Sequence, residues 1–328
     1  MSTYAATGVD IAAAEDNVRR IGAHVRSTHG PHVLGDFGAF AGLFHLTNVN
    51  DPVLVASTDG VGTKLLLAAQ CGVYDVLGRD LVNLSVNDVL TTGARPLFFL
   101  DYVGLHALDQ VLMDTLVAGM AQACRDNGCA LLGGETAQLP ALYAEGHFDL
   151  AGTVVGVVER DSLITGQDVR PGDRVWGLPS TGLHTNGYTL ARQVVAGLDL
   201  SSDPNQRLGQ SVADALLAPH PSYLRTMQPV LPQVTAIAHI TGGGIPGNLP
   251  RALPQDVSAE LHWGAWPVPP IFRFLQEHGR IPHEEMLRVF NMGLGLLFVT
   301  PPDVACADAL EVGRIVPRRD EPVIFSHA

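Results

Sequence analysis

A two-domain α/β protein is predicted by three features of this sequence. Its 328 residues correspond to about two domains of roughly 150 residues each. Hydrophobic residues make up 46% of the chain and aromatic residues only 6%, which predicts Ala-, Val- and Leu-rich cores, as in helices packed on sheets. Short β-branched runs also pass repeatedly into glycine-rich turns and then into helical patterns.

Charge and cysteine content argue against several classes of protein. The net charge is −13 and Lys64 is the only lysine, so we expect no nucleic-acid partner. No apolar run reaches the length of a membrane span, and the acidic start of the chain lacks an apolar signal core, so we expect no membrane partner and a cytoplasmic location. The four cysteines lack the spacing of a zinc site, which favours reduced, buried thiols.

The first half of the chain alternates predicted helices and strands. A glycine-rich segment at residues 30–44 is predicted to be a mobile loop or an ordinary linker. The turn predicted at residues 58–63 lies between a strand and a helix. The predicted helices are 9–29, 64–71, 80–92 and 108–128, and the predicted strands are 52–57, 96–103, 129–132 and 148–158.

A domain boundary is predicted near residue 168, where a Pro-Gly-Asp turn precedes a new strand at 174–178. We therefore expect one domain over residues 1–168 and a second over 169–328. The second half repeats the order of strand, glycine turn and helix twice, and a late strand is predicted at 295–300.

The segment STDGVGTKLLL, residues 57–67, predicts a phosphate-binding turn. Thr63 is placed to cap a helix that begins at Lys64, and Gly60 and Gly62 allow the backbone to approach a ligand closely. Asp59 would repel a phosphate unless a divalent cation lay between them. The segment therefore predicts ATP phosphates with Mg²⁺, and the alternative is an ordinary Asp-Gly turn with a helix cap.

The predicted helix at residues 80–92 provides further acidic groups. Asp80, Asn83 and Asn87 fall on one face of an otherwise apolar helix, and Asp88 lies at its edge. Carboxylates on such a helix are costly to bury unless they are paired. We expect Asp59, Asp80 and Asp88 to bind Mg²⁺, with Asn87 near the nucleotide. The alternative is a solvated helix face.

Three more polar positions follow predicted strands. Glu135 comes after an apolar strand and is predicted to bind a metal or ATP, with an ordinary turn glutamate as the alternative. The segment Ser180–Gly187 places hydroxyl, imidazole and amide groups in one turn, and a second turn surrounds Gly243. These turns predict a substrate site formed by Thr181, Gly182, His184, Thr185, Asn186 and Gly243, with His184 and Asn186 as catalytic candidates.

These motifs, in this order, resemble the phosphoribosylformylglycinamidine cyclo-ligase (AIR synthetase) family over nearly the whole chain. STDGVGTK and VND are shared with a wider ATP-binding superfamily that includes thiamine monophosphate kinase and selenophosphate synthetase, whereas the later motifs are specific to AIR synthetase. The motifs are STDGVGTK (57–64), VND (86–88), FFLDY (98–102), GGETAQLP (133–140), LHTNGY (183–188), HITGGGIPGNLPR (239–251), WPVPPIF (266–272) and Asn291-Met-Gly.

The resemblance implies ATP-dependent closure of formylglycinamidine ribonucleotide to aminoimidazole ribonucleotide in purine synthesis, with release of ADP and phosphate. It also implies a homodimer whose N-terminal sheets form a shared β-barrel, covered by a C-terminal α/β domain. Lys64 would then help to neutralise phosphate. The segment Pro219–Tyr223 departs from the family, since His and Pro stand where Thr and Arg are usual.

Two other functions share part of these motifs. A small-molecule kinase of the same superfamily, similar to thiamine monophosphate kinase, would keep the ATP-binding half and change the substrate half. A non-catalytic nucleotide-binding protein would need fewer metal ligands than the acidic set found here.

Overall fold

The computed structural model describes residues 11–327, and its contacts divide them into two compact units. Unit 1 contains residues 11–89 and 95–160, and unit 2 contains residues 90–94 and 161–327. The domain boundary near residue 168 stays a prediction, and the predicted helix start at residue 9 lies outside the described residues.

Unit 1 is built on a four-stranded sheet with the strand order β3-β6-β4-β5. Strands β4 and β5 are parallel, and β6 is antiparallel to both of its neighbours. A separate antiparallel pair, β1 and β2, lies within the glycine-rich segment. The elements are α1 (Ile11–Arg26), β1 (Val33–Leu34), β2 (Leu43–Phe44), β3 (Pro52–Gly60), α2 (Lys64–Cys71), α3 (Asp75–Leu90), β4 (Arg95–Leu105), α4 (Gln110–Asn127), β5 (Ala130–Gln138) and β6 (Phe148–Glu159).

Pairing with a neighbouring strand makes the predicted turn wrong at residues 58–60, and it makes the alternative of a turn glutamate wrong at Glu135. Strand β3 continues to Gly60 because β6 pairs with each of its residues. Strand β5 continues to Gln138 alongside β4, so Glu135 lies within a strand rather than in a turn. Helix α2 has the predicted bounds, whereas α3 begins at Asp75, before the predicted start.

Helices α3 and α4 pack closely through glycines. A Cβ atom at Gly78 would lie 2.1 Å from the backbone oxygen of Leu116, and one at Gly119 would lie 3.2 Å from that of Asp75. Helix α4 begins at the N-cap Asp109, whose carboxylate accepts from two backbone amides, and ends at Gly128 in the left-handed conformation.

The two faces of the unit 1 sheet differ in burial. Phe99, Val103, Leu150 and Val154 on one face are fully buried. On the opposite face, side chains such as Leu54 stay exposed or only half-buried. This uncovered face also includes Ala56, Thr58, Leu100, Tyr102, Ala151, Thr153 and Val155. Two residues on the same side are covered: Phe98 packs against Phe44 of β2, and Val157 is buried.

Unit 2 is built on a six-stranded mixed sheet with the order β12-β9-β11-β7-β10-β8. Its core contains residues from most of these strands, including Val175, Ala238, Leu261 and Leu297. The strands are β7 (Arg174–Pro179), β8 (Ala236–His239), β9 (Val257–Trp263), β10 (Leu294–Thr300), β11 (Leu310–Pro317) and β12 (Val323–His327). The helices are α5 (Tyr188–Val194), α6 (Val212–Leu216), α7 (Leu224–Met227), α8 (Gly244–Asn248), α9 (Pro270–Gly279) and α10 (His283–Val289).

Strand directions bring several motifs of unit 2 to one edge of the sheet. Strand β10 is antiparallel to both β7 and β8. The segments that follow β7 and β8 therefore lie at the same edge as Asn291–Gly293, which precedes β10. The three motifs LHTNGY, HITGGG and Asn291-Met-Gly meet there.

Among the described residues, no helix has both the length and the apolar character needed to cross a membrane. All four cysteines are free thiols, as predicted. Cys124, Cys129 and Cys306 are buried, whereas Cys71 is only half-buried.

Candidate functional site

The end of β3 and the last turn of α3 are joined by a hydrogen bond. The Ser57 hydroxyl donates to Oδ2 of Asp88 over 2.8 Å. Asp59 follows two residues later on the same face of β3 and is exposed, and its Oδ1 accepts from the backbone N–H of Gly60 over 2.7 Å. The structure therefore brings two of the three predicted metal ligands, Asp59 and Asp88, to one end of the sheet.

Lys64 and Asp80 form a buried ion pair. The Lys64 Nζ lies 2.6 Å from Oδ2 of Asp80, and both side chains have zero exposure. The position of Asp80 on an apolar helix is thus explained by pairing, because an unpaired carboxylate would be costly there. The alternative of a solvated helix face is wrong at Asp80 and also at Asn87, which is fully buried.

The glycines of the predicted phosphate turn have local structural roles. Gly62 has φ of 65°, and a Cβ atom at Gly60 would lie 3.2 Å from the Leu150 oxygen. The predicted capping role of Thr63 is wrong, because its side chain makes no capping hydrogen bond to α2. Nucleotide contacts by Gly60, Gly62, Thr63 and Asn87 stay predictions.

Protein side chains alone do not complete a metal site here. Among residues 11–327, no group of three or more His, Cys, Asp or Glu side chains could hold a metal ion. Mg²⁺ often keeps several water ligands and takes one or two carboxylates plus phosphate oxygens from its substrate. Asp59 and Asp88 fit that ligand set, whereas the buried Asp80 is held by Lys64.

Glu135 lines a cavity of about 200 Å³ beneath α1. Asp101 on β4 also faces this cavity, and removal from water raises the pKa of its carboxyl to about 7. A backbone hydrogen bond opposes this shift and the nearby Glu135 carboxylate adds to it. Asn17 lines the cavity too, and its Oδ1 is buried without a hydrogen-bond partner.

Sequence reasoning missed Asp101 and Asn17 as site residues. The signal for Asp101 was present, since FFLDY places one carboxylate in a run that forms a buried strand. No local pattern marks Asn17, because its surroundings are created by β4 and β5, which are distant in the chain.

Asn291 forms hydrogen bonds with the predicted substrate turn of unit 2. Its Oδ1 accepts from the Ser180 hydroxyl over 2.9 Å, and its Nδ2 donates to the Gly182 oxygen over 2.8 Å. The backbone N–H of Gly293 also donates to Asn291 Oδ1 over 2.9 Å. The predicted substrate turn and the Asn291-Met-Gly segment are therefore joined directly by hydrogen bonds.

Asn186 extends from this turn to the next one. A Cβ atom at Gly242 would lie 3.3 Å from the Asn186 Oδ1, so the two turns are in contact. Gly243 has φ of 98°, and the Asn248 Nδ2 donates to the Gly242 oxygen over 3.1 Å. Backbone carbonyls of this second turn are thus held by Asn248.

His184 is enclosed rather than open to a ligand. Its side chain has zero exposure, its φ is 61°, and its Nε2 accepts from the Thr181 backbone N–H over 3.3 Å. Its ring stacks on that of His220 with 4.1 Å between centroids. The predicted catalytic roles of His184 and Asn186 stay predictions.

A larger cavity of about 760 Å³ opens elsewhere in unit 2. Trp263 and Met292 contribute apolar walls, and Arg207, Arg273 and His283 contribute basic groups. Its volume is in the range of small-molecule sites.

Comparison with known proteins identifies the family. Residues 39–158 match "AIR synthase related protein, N-terminal domain" and residues 170–321 match the corresponding C-terminal domain. The chain is 44% identical over 334 residues to the phosphoribosylformylglycinamidine cyclo-ligase of Lactococcus lactis subsp. cremoris, covering 99% of this chain and 98% of the relative. The chain belongs to the phosphoribosylformylglycinamidine cyclo-ligase family.

Further comparisons agree with this assignment. The cyclo-ligase of Myxococcus xanthus is 48% identical over 331 residues, covering 96% of each chain. A structure of the hydrogenase maturation protein HypE in complex with ATP superposes with a TM-score of 0.68 at 20% identity, over 96% of this chain and 92% of HypE. Thiamine-monophosphate kinase from Stenotrophomonas maltophilia superposes with a TM-score of 0.67 at 19% identity, over 94% and 95%. At these identities the two comparisons show a shared fold, and the predicted α/β class is confirmed. The β-barrel shared across a dimer stays a prediction.

Proposed function

We propose that this cyclo-ligase family member converts formylglycinamidine ribonucleotide and ATP into aminoimidazole ribonucleotide, ADP and phosphate. The observation that carries the proposal is identity of 44% to 48% to cyclo-ligases over nearly the full length of both chains. A thiamine monophosphate kinase activity is disfavoured because the kinase structure is only 19% identical to this chain.

Unit 1 supplies the phosphate-binding half of the proposed reaction. Asp59 and Asp88 would hold Mg²⁺ together with ATP oxygens, because Asp59 lies near the end of β3, Asp88 is linked to that strand through Ser57, and neither is buried. When bound, Mg²⁺ would neutralise phosphate charge during phosphoryl transfer. Asp80 fixes Lys64 at the start of α2, so that the backbone around this ammonium is held in place.

Unit 2 supplies the substrate half. Transfer of the terminal phosphoryl group to the formyl oxygen converts that oxygen into a leaving group, and attack by the amidine nitrogen on the formyl carbon then closes the ring. Thr181, Thr185, Asn186 and the turns at Gly182 and Gly243 would orient the substrate through hydroxyl, amide and backbone groups. Asn291 keeps the first of these turns in place.

An assay of phosphate release distinguishes the candidate functions. Purified protein with ATP and Mg²⁺ should release phosphate only when formylglycinamidine ribonucleotide is added. Equal turnover with thiamine monophosphate would instead support the kinase. Tight ATP binding without turnover of either substrate would support a non-catalytic nucleotide-binding protein.

Mg²⁺ titrations of carboxylate variants test the proposed ligands. Asp59→Asn and Asp88→Asn should each raise the Mg²⁺ concentration for half-maximal turnover by about tenfold, since each removes a charged ligand. Asp126→Asn is a matched control, because Asp126 is an exposed carboxylate on α4. A response of Asp126→Asn equal to the other two would contradict the assignment.

We also propose a cytoplasmic location and a homodimer. The cytoplasmic location rests on the family, since cyclo-ligase relatives match this chain at 44% to 48% identity over nearly its full length. The uncovered apolar face of the unit 1 sheet supports a homodimer, since pairing two such faces would remove it from water.

A further inference from the structure

His220 joins two parts of the unit 2 site through its two ring nitrogens. Its Nδ1 lies 3.3 Å from the Thr185 hydroxyl oxygen, and its Nε2 lies 3.2 Å from Nε2 of His239. Thr185 belongs to the turn after β7, and His239 ends β8. His220 itself has zero exposure, so these contacts occur away from bulk water.

The two contacts of His220 depend on each other. A neutral imidazole carries a hydrogen on one nitrogen and accepts on the other. If His220 Nδ1 donates to Thr185, its Nε2 must accept from His239. If the Thr185 hydroxyl donates to His220, then His220 must donate to His239. The chain therefore has two arrangements of opposite polarity.

These two arrangements present different groups at Thr185. A hydroxyl can accept two hydrogen bonds and donate one. The Asn186 Nδ2 already donates to the Thr185 oxygen over 3.4 Å. When His220 also donates, the Thr185 hydrogen is left to donate to a ligand. When His220 accepts instead, that hydrogen is used inside the protein.

We propose that His220 is a positioning residue that orients the Thr185 hydroxyl as a donor toward an anionic or carbonyl oxygen of the substrate. This inference rests on the proposed function, because Thr185 is a proposed substrate contact. The stacked ring of His184 fixes the plane of His220, since the centroids are 4.1 Å apart with an interplanar angle of 21°. His220 acts through Thr185 and has no contact with reacting atoms in this assignment.

Two amide variants separate the two ring nitrogens. In His220→Asn the side-chain amide takes the place of Nδ1–H and can still donate to Thr185, whereas in His220→Gln the amide reaches the position of Nε2 and loses Thr185. We expect His220→Gln to raise KM for formylglycinamidine ribonucleotide by about tenfold with little change in kcat, as for loss of one hydrogen bond. His220→Asn should stay within about twofold of wild type.

The outcomes distinguish this inference from the proposed function. Absence of turnover by the wild-type protein would overturn the proposed function. Normal wild-type turnover with equal KM values for the two variants would overturn the role of His220 alone. Thermal unfolding of both variants checks that they fold.

A spectroscopic measurement tests the same assignment without activity. Proton–nitrogen correlation spectra of imidazole-labelled wild-type protein, with the His220 signals assigned by their loss in His220→Asn, report the tautomer directly. With substrate bound, His220 should carry its hydrogen on Nδ1. A hydrogen on Nε2 alone would overturn the proposal, whatever the KM values of the two variants.

Discussion

For Lys64, the sequence context and the structure indicate different roles. As the only lysine of the chain, beside a glycine-rich turn, it indicated a phosphate contact. The structure pairs it with Asp80 at 2.6 Å in a fully buried position. The compact ammonium of lysine and the planar, five-donor guanidinium of arginine are not interchangeable in such a pair.

Removal of the Lys64 ammonium should destabilise the protein. Lys64→Met leaves the Asp80 carboxylate buried without this partner, and we expect a loss of about 3 kcal/mol in the free energy of unfolding, measured in urea. The double variant Lys64→Met/Asp80→Asn removes both charges and should recover part of that loss. If Lys64→Met were as stable as the wild-type protein, that result would contradict a close, buried ion pair between Lys64 and Asp80.

Asp101 should make stability depend on pH. Because burial raises its pKa to about 7 from 3.8, the folded protein binds a proton that the unfolded chain releases as pH rises from about 4 to 7. Stability should therefore fall across this range and stay low above it. Asp101→Asn should raise Tm at pH 8 by roughly 2–4 °C and have little effect near pH 4.

The exposed carboxylate of Asp149 provides a control for this prediction. Thermal unfolding of Asp149→Asn should not reproduce the pH-dependent gain. An Asp101→Asn variant with the same change in Tm at both pH values would show that folding does not raise the pKa of Asp101.

The close packing of helices α3 and α4 depends more on Gly78 than on Gly119. A methyl group at Gly78 would meet backbone atoms at 2.1 and 2.8 Å, whereas at Gly119 the nearest atom is 3.2 Å away. Gly78→Ala should lower the free energy of unfolding by about 3 kcal/mol, because the atoms in the way belong to the backbone and cannot move by a change of rotamer as a side chain can. Gly119→Ala should cost less.

Gly247 in α8 is the matched control for the helix crossing. No atom lies within 4 Å of a Cβ atom placed there. Gly247→Ala should be neutral or stabilise slightly, since alanine lowers the entropy of the unfolded chain. Thermal unfolding of all three variants measures their relative stabilities. A loss of stability in Gly247→Ala as large as that in Gly78→Ala would contradict the prediction.

For the whole molecule, the uncovered face of the unit 1 sheet predicts self-association. Leu54 on this face is 63% exposed, and Leu142 in a loop is 77% exposed. Leu54→Arg should convert a dimer into a monomer of 34.8 kDa, because a guanidinium would have to be buried in the interface.

Light scattering after size-exclusion chromatography measures this prediction. Leu142→Arg adds the same charge at a similarly exposed leucine and should leave the dimer intact. A monomeric wild-type protein, or equal effects of the two substitutions, would contradict an interface at Leu54.

The sequence by itself determined the α/β class, most element positions in unit 1 and the family, because these depend on local periodicity and on motifs read in order. Helix α2 has its predicted bounds since Lys64 follows a turn and precedes an apolar run. Only the tertiary structure decided where strands end and what polar groups contact. Pairing with β6 and β4 extended β3 and β5 beyond their predicted ends. Burial paired Asp80 with Lys64, and folding placed His220 between Thr185 and His239, because partners far apart in sequence leave no local pattern.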